Sequence, residues 1–282
     1  MVQIIADTTS SLPVSVAKSK QIAYLPQIII FGGQSYRDDC EIDTPTFLQK
    51  LRAADQLPKT AAPPPALYAP IYQQLKSTGE AGLVIAPSAE VSGTLRSATV
   101  AAQDFPGADI RIVDTRTAAS GLGSIVLQAR VWAEQGMDID TLEARVRELA
   151  SRERVYFLVD TLEYLYKGGR IGGAQALVGG LLQVKPILTL RDGRAEAAES
   201  LRTKRRALLR LKEIVLSNCP KGPEAKLTVS HCEAEGEARE LASEFALALG
   251  VPEVPIFELP PAIVVHAGPK ALAVSYFTAA SA

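Results

Sequence analysis

Short apolar runs alternate with helical patterns along the first half of the chain, and this alternation restricts the possible folds more than any other feature. The runs predict buried strands, and the segments between them have the apolar spacing and N-cap residues of helices. Strands are predicted at residues 2–6, 23–31, 82–86 and 110–114, and helices at residues 44–54, 66–77, 94–104, 120–134 and 140–152. Such alternation is typical of a parallel sheet with helices on both faces.

The second half is patterned differently, because hairpin signals and consecutive strands replace the regular alternation. Asp192-Gly193 lies between two strand-like runs and is a strong signal for a two-residue hairpin. Strands are predicted at residues 155–160, 185–190, 195–201, 226–231, 255–259, 262–266 and 271–277, and helices at residues 175–182, 203–218 and 235–249. We therefore expect an α/β protein of two domains, residues 1–152 with a parallel sheet and residues 153–282 with a mixed sheet covered by helices on one side.

Composition argues against several classes of protein. The chain has 282 residues, of which 47% are hydrophobic, so it can bury the core of two ordinary domains. Its formal net charge of −1 argues against nucleic-acid binding, since neutralising phosphates requires an excess of Lys and Arg. The N-terminus lacks the pattern of a secretory signal, and no apolar run approaches the roughly 20 residues that span a bilayer. Three scattered cysteines form no CxxC pair, so we expect reduced thiols in a cytoplasmic protein without stable membrane insertion.

The loop at residues 88–94 is the first candidate site, since it follows a predicted buried strand and opens a predicted helix. Ligands of open parallel sheets collect at the carboxyl ends of strands, and a helix N-terminus offers free N–H groups to an anion. Ser92 and Thr94 add hydroxyl groups, and Gly93 allows close approach of the backbone. The alternative, which the local sequence favours, is that these residues only cap the helix. Thr60 is a further hydroxyl that could share the anion, unless it only belongs to a helix-entry turn.

Both histidines of the chain are predicted at strand ends. His266 could act as a base for Ser92 in a lipid hydrolase or acyltransferase. Ser92 lacks the G-x-S-x-G elbow of such enzymes, however, and a lone histidine at a strand end is more often a hydrogen-bonded structural residue. Histidines this far apart, without a carboxylate cluster, also make a poor metal site, so we expect no bound metal.

Two further features involve arginine. Glycines flank Arg170 in residues 168–173, but the segment lacks the Gly-Lys-Ser/Thr of a phosphate loop, and two helix caps around an exposed arginine explain it. Residues 191–212 contain eight basic residues against three acidic ones, a net charge of +5 in a nearly neutral chain. This cluster is either a solvated helix face or a docking patch for an acidic partner.

Taken together, these motifs resemble the DegV family, and the resemblance covers nearly the whole chain. The matching stretches are D-T-T-S at residues 7–10, S-G-T at 92–94, D-T-L-E-Y-L-Y-K-G-G-R-I at 160–171 and H-A-G-P at 266–269. Each motif is weak alone, and their order and spacing make the resemblance strong.

The resemblance implies a two-domain α/β fold with a long-chain fatty acid, such as palmitate or stearate, in a buried tunnel between the domains. It also implies that the carboxylate is bound by Thr60, by the loop of Ser92, Gly93 and Thr94, and by His266. Such a protein binds lipid without catalysing a reaction and requires no cofactor.

A protein partner is implied as well, since the chain is similar to the lipid-binding subunit of bacterial fatty acid kinase. That subunit presents its bound acid to a separate ATP-using kinase in phospholipid metabolism, and Arg170 and Arg202 match the family's partner and phosphate contacts. The family's T-S-x-P-S loop reads T-A-A-P-P at residues 60–64, and Ala267 replaces the threonine of H-T-G-P, so headgroup hydroxyls are lost. A lipid-loaded regulatory adaptor and, more weakly, chemistry like that of dihydroxyacetone kinases are the remaining alternatives.

Overall fold

The computed structural model describes residues 1–177 and 184–280. The chain divides into two units: unit 1 is Met1–Ser151 with Pro260–Ala262, and unit 2 is Arg152–Leu259 with Ile263–Ala282. Each unit combines helices with strands, so the fold class is α/β, as the sequence predicts.

Unit 1 contains a parallel sheet and a smaller antiparallel one. Its strands are β1 (Gln3–Asp7), β2 (Ala23–Leu25), β3 (Ile28–Phe31), β4 (Gln34–Arg37), β5 (Lys59–Ala61), β6 (Gly82–Ala86) and β7 (Ile110–Asp114). Its helices are α1 (Val14–Ser19), α2 (Thr44–Ala53), α3 (Pro65–Thr78), α4 (Thr94–Ala102), α5 (Ala119–Glu134) and α6 (Ile139–Arg152), and a 3₁₀ helix covers Thr8–Ser10. The parallel sheet has the order β2-β1-β6-β7, and the antiparallel sheet has the order β4-β3-β5.

The predicted strand at residues 23–31 is wrong in one respect, because it is two strands in different sheets. Pro26 separates β2 from β3, since proline has no N–H to continue a strand ladder. Strands β4 and β5 were not predicted. They are short and largely exposed, so they lack the apolar alternation that identifies a strand.

Helices cover the parallel sheet on both faces. Tyr68 and Tyr72 of α3 and Ala98 of α4 pack with Ile5 and Val84 of the central strands. Neighbouring residues of a strand point to opposite faces, and α5 packs against β1 and β6. This arrangement places the carboxyl ends of β1, β2 and β6 at one edge of the sheet, where the site described below is found.

Unit 2 contains a mixed sheet in which only one of the strand pairs is parallel among the described residues. Its strands are β8 (Glu153–Leu158), β9 (Lys185–Arg191), β10 (Arg194–Leu201), β11 (Thr228–His231), β12 (Ile256–Glu258) and β13 (Leu272–Phe277). Its helices are α7 (Glu163–Lys167), α8 (Lys204–Asn218), α9 (Glu235–Leu249) and α10 (Pro261–Ala267), with 3₁₀ helices at Gly172–Leu177 and Pro223–Ala225. The sheet order is β10-β9-β8-β13-β11-β12, and β11 and β12 form the parallel pair.

Helices pack on both faces of the mixed sheet, so the expectation of helices on one side only is wrong. Ile187 joins a core with the long helices α8 and α9, whereas its neighbour Leu188 packs with Leu165 of α7 and Ala174 of the 3₁₀ helix Gly172–Leu177. The hairpin between β9 and β10 turns at Asp192-Gly193, as predicted.

Two predictions for the second half need correction. Residues 262–266 belong to α10 and are not a strand; Pro261 opens the helix, where its missing N–H is tolerated, and a short apolar run fits a buried helix as well as a strand. The predicted helix at residues 175–182 is 3₁₀ up to Leu177, and its remainder lies outside the described residues. No helix in residues 1–177 and 184–280 is long and apolar enough to span a bilayer.

Candidate functional site

A buried carboxyl group, that of Asp7, lies at the carboxyl end of β1. Asp7 Oδ1 accepts hydrogen bonds from the Thr9 amide at 2.9 Å and from the Thr9 hydroxyl. Asp7 Oδ2 accepts from Gln27 Nε2 at 2.7 Å and from Thr94 Oγ1 at 2.5 Å. Asp7 is 1% exposed, and this burial raises the pKa of its carboxyl, while the hydrogen bonds act in the opposite direction. The Asp7 carboxyl group thus links β1 to Gln27, which follows β2, and to Thr94, which begins α4.

Thr94, the first residue of α4, connects Asp7 to Ser92. Its hydroxyl donates to Asp7 and accepts from Gln27 Nε2 at 2.9 Å. Ser92 Oγ lies 3.1 Å from Thr94 Oγ1 and accepts a hydrogen bond from the Thr94 backbone amide at 3.3 Å. Thr94 is fully buried and Ser92 is half-buried. Because the Thr94 proton is directed to Asp7, Ser92 is the hydroxyl of this pair whose proton can turn toward a ligand.

A second buried carboxyl group, that of Asp38, belongs to the same edge. The Asp38 carboxyl accepts hydrogen bonds from the Thr8 hydroxyl, at 2.8 and 2.9 Å to its two oxygens, and from the Gln27 backbone amide at 2.8 Å. Burial, and to a lesser extent the nearby Asp7, raises the pKa of Asp38 to about 7. Gln27 therefore bridges both carboxyl groups, with its side chain on Asp7 and its backbone on Asp38.

The segment that follows β5 lies against the turn before α4. A Cβ placed on Gly93 would be 3.4 Å from Ala62 Cβ, and Ser97 Oγ donates to the Pro63 carbonyl at 2.5 Å. Thr60 precedes this segment and lies on strand β5, not in a helix-entry turn. The structure thus brings the segment of Thr60 next to the loop of Ser92, Gly93 and Thr94.

The start of α4 has no conventional side-chain cap. Gly93 occupies the N-cap position and makes no side-chain hydrogen bond, and Ser92 contributes only the long bond to the Thr94 amide. The first amides of a helix have no intrahelical partner and carry partial positive charge. This turn can therefore receive an anion beside Ser92.

His266 and Arg170 lie in unit 2. His266 is in the last turn of α10 and packs against Gly168, where a Cβ would collide with its Nδ1. Burial, followed by the charge of Arg170, lowers the pKa of His266 to about 4, so the imidazole is neutral at physiological pH. Arg170 is half-buried and donates to the Gly168 carbonyl at 2.6 Å, so the prediction of an exposed arginine is wrong. Burial lowers the pKa of Arg170.

The basic cluster of residues 191–212 is partly neutralised within unit 2. Its ion pairs are Arg191–Glu196, Lys204–Glu237, Arg210–Glu199 and Lys212–Glu244. Arg202, Arg205 and Arg206 are exposed around the start of α8 and form no ion pair within the described part of the chain. We call these three residues the arginine patch.

The site lacks the arrangement of an activated nucleophile in unit 1. The side-chain hydrogen bonds of Ser92 in this unit both involve Thr94, which is not a base, whereas a nucleophilic serine needs a base within hydrogen-bond reach. In the regions 1–177 and 184–280, no group of three or more His, Cys, Asp or Glu residues is placed to hold a metal ion.

Sequence reasoning missed the part that Asp7, Gln27 and Asp38 play at this edge. In the sequence, Asp7 stands out only as a member of the D-T-T-S motif. The sequence signals that point to them are an acidic residue directly after a buried strand and a glutamine inside an otherwise apolar run.

Comparison with known proteins identifies the family. The family model described as "Uncharacterised protein, DegV family" matches residues 1–279. The chain belongs to the DegV family. The resemblance and the fold class inferred from the sequence are thereby confirmed.

DegV relatives align with almost the whole chain. A DegV domain-containing protein of Streptomyces coelicolor is 36% identical over 275 residues, which are 97% of each chain. The solved structure of a DegV family protein from Thermus thermophilus is 33% identical, with a TM-score of 0.88 and 99% of both chains covered. A second, from Streptococcus agalactiae, is 27% identical, with a TM-score of 0.90 and the same coverage. Both of these solved proteins are described as fatty acid binding.

Proposed function

We propose that this DegV protein binds a long-chain fatty acid and catalyses no reaction alone. The observation that carries the proposal is the full-length similarity to two DegV proteins described as fatty acid binding. The polar turn at the start of α4 supports it independently, because hydroxyl groups and free helix amides are suited to a carboxylate.

The carboxylate is assigned to the turn of Ser92, Gly93 and Thr94, with Thr60 beside it. A buried carboxylate without donors would be costly or would protonate, so the Ser92 hydroxyl and the first amides of α4 stabilise the charged form. His266 is assigned to the ligand from the family resemblance. As a neutral imidazole it can donate one hydrogen bond without adding charge.

The acyl chain supplies most of the binding free energy in this proposal. Burying one methylene contributes about 0.8 kcal/mol, so roughly 14 methylenes contribute about 11 kcal/mol before the cost of ordering the chain. The headgroup contacts then orient the lipid and select an acid over an ester. Alanine and proline replace the serines of the T-S-x-P-S loop at Ala61 and Pro64, so Ser92 provides a larger share of the remaining contacts.

The bound acid is, in our proposal, presented to a separate fatty acid kinase that uses ATP. The arginine patch supports this step, because its exposed charges are not neutralised by ion pairs in the described residues and would attract an acidic partner surface. Arg170 is assigned to the same partner from the family resemblance.

The headgroup assignment is tested with Ser92→Ala and palmitate. Losing one hydrogen bond to a charged group weakens binding by about 1.5–3 kcal/mol, or about 10- to 150-fold in Kd. Calorimetric titration of wild type and variant measures this ratio, and the control Ser19→Ala, on the exposed end of α1, should bind as wild type does. Equal palmitate affinity of Ser92→Ala and wild type would remove Ser92 from the site.

A further inference from the structure

Asp7 and Thr94 are 87 residues apart in the sequence, and a single hydrogen bond joins them at the site. The Thr94 hydroxyl has one proton, which it donates to Asp7 Oδ2. One of its lone pairs accepts from Gln27 Nε2, which also donates to the same Asp7 oxygen. The three side chains thus form a closed triangle of hydrogen bonds that allows the Thr94 hydroxyl only one orientation.

The orientation of Thr94 limits that of Ser92. The second lone pair of Thr94 Oγ1 remains for Ser92 Oγ at 3.1 Å, and the Thr94 amide donates a hydrogen bond to Ser92 Oγ at 3.3 Å. Ser92 Oγ is therefore held by two atoms of Thr94, and its own proton can point to Thr94 or to a ligand. Asp7 and Gln27 are buried, and Thr94 connects them to Ser92.

We propose that Asp7 and Thr94 are positioning residues, which hold the Ser92 hydroxyl in the orientation that donates to the ligand carboxylate. This inference rests on the proposed function and deepens it, because it names the residues that set selectivity for an acid. Without the Asp7–Thr94 bond, Thr94 Oγ1 is no longer fixed beside Ser92, and Ser92 Oγ loses one of the two atoms that hold it in place. Acyl-chain binding does not depend on this orientation.

Asp38 provides a matched comparison. Asp38 is also buried and also contacts Gln27. It accepts hydrogen bonds from the Gln27 backbone amide and the Thr8 hydroxyl, however, and not from Thr94. Asp38→Asn therefore perturbs the same edge of the sheet without breaking the connection between Asp7 and Ser92.

The test uses palmitate and methyl palmitate in equilibrium dialysis with the full chain. Thr94→Val removes the hydroxyl and keeps the shape, whereas Thr94→Ser keeps the hydroxyl. We expect Thr94→Val to weaken palmitate binding about tenfold, the effect of one hydrogen bond to a charged group, and to leave methyl palmitate within about twofold. Thr94→Ser and Asp38→Asn should both retain the wild-type ratio of the two affinities.

A double-mutant cycle separates positioning from general damage. In the Ser92→Ala background, Thr94→Val should cause no further loss, because the hydroxyl that it positions is gone. Asp7→Asn tests the same connection without altering Thr94 and should cause the same selective loss, so the proposal does not depend on Thr94→Val folding. Melting curves from circular dichroism check that each variant is folded.

The outcomes distinguish this inference from the proposed function. Wild-type protein that binds no palmitate would overturn both. Wild-type protein that prefers palmitate to its ester, combined with equal losses for both ligands in Thr94→Val and Asp7→Asn, would overturn positioning alone. Additive losses of palmitate affinity from Ser92→Ala and Thr94→Val would also overturn positioning.

Discussion

Replacing Asp38 by asparagine should change how the stability of the protein depends on pH. Asp38 is buried beside Asp7, and its pKa is raised from 3.8 to about 7 in the folded chain. Between these two values the folded chain holds a proton that the unfolded chain has released. Raising the pH through this window therefore lowers the free energy of unfolding, and stability is greatest on the acid side.

The size of the effect follows from the two pKa values of Asp38. Each pH unit between them corresponds to about 1.4 kcal/mol, which gives at most about 4 kcal/mol in total. About 3 kcal/mol of this falls between pH 5 and pH 8. Asparagine cannot ionise, so Asp38→Asn should lose this part of the pH dependence. The pKa of Asp7 is also raised, and Asp7 should contribute similarly to the pH dependence of stability in wild type and in Asp38→Asn.

Urea unfolding followed by circular dichroism at pH 5, 6, 7 and 8, at constant ionic strength, measures the effect. We expect the free energy of unfolding of wild type to fall relative to that of Asp38→Asn by about 3 kcal/mol across the series. Asp55→Asn, at an exposed position, serves as the control and should follow wild type. Parallel curves for wild type and Asp38→Asn would refute the idea that Asp38 is held in a buried, proton-binding state.

Two other predictions concern unit 2. The ring signals of His266 in NMR spectra should stay constant from pH 8 to pH 5, because burial and Arg170 lower its pKa to about 4; a titration near pH 6.5 would contradict this environment. Reversing the charges of the arginine patch with Arg202→Glu, Arg205→Glu and Arg206→Glu should leave palmitate affinity unchanged and abolish transfer of the acid to a fatty acid kinase, measured as ADP formation. Charge reversal at Arg239, which pairs with Glu235 within α9, is the control. ADP formation by the patch variant equal to that of wild type would exclude the patch as a docking surface.

Sequence patterns predicted those elements that carry their own boundary signals. Helix α9 was predicted at the residues where it is found, since its apolar period is regular and Gly250 ends it in the left-handed conformation. Strand β6 was also predicted correctly, as an apolar run bounded by turn residues. Helix α10 was predicted as a strand because five apolar residues between prolines and a glycine have no period of their own.

The candidate site could be predicted only in part. The loop of Ser92, Gly93 and Thr94 has a local signal, a polar Gly-containing turn between a strand and a helix. The hydrogen bonds of Asp7 with Gln27 and Thr94 have none, because they join segments that are distant in the sequence and meet only when the parallel sheet forms. For the same reason the raised pKa of Asp38 could not be inferred, since it depends on burial in the folded chain.

Native mass spectrometry of the protein purified from cells, without added lipid, tests the central claim most directly. The account predicts a population heavier than the free chain by the mass of a C16 to C18 fatty acid, and release of that acid when the protein is denatured. The Ser92→Ala variant should show a smaller bound population. A protein that stays free of lipid under native conditions, and after incubation with palmitate, would contradict fatty acid binding by this chain.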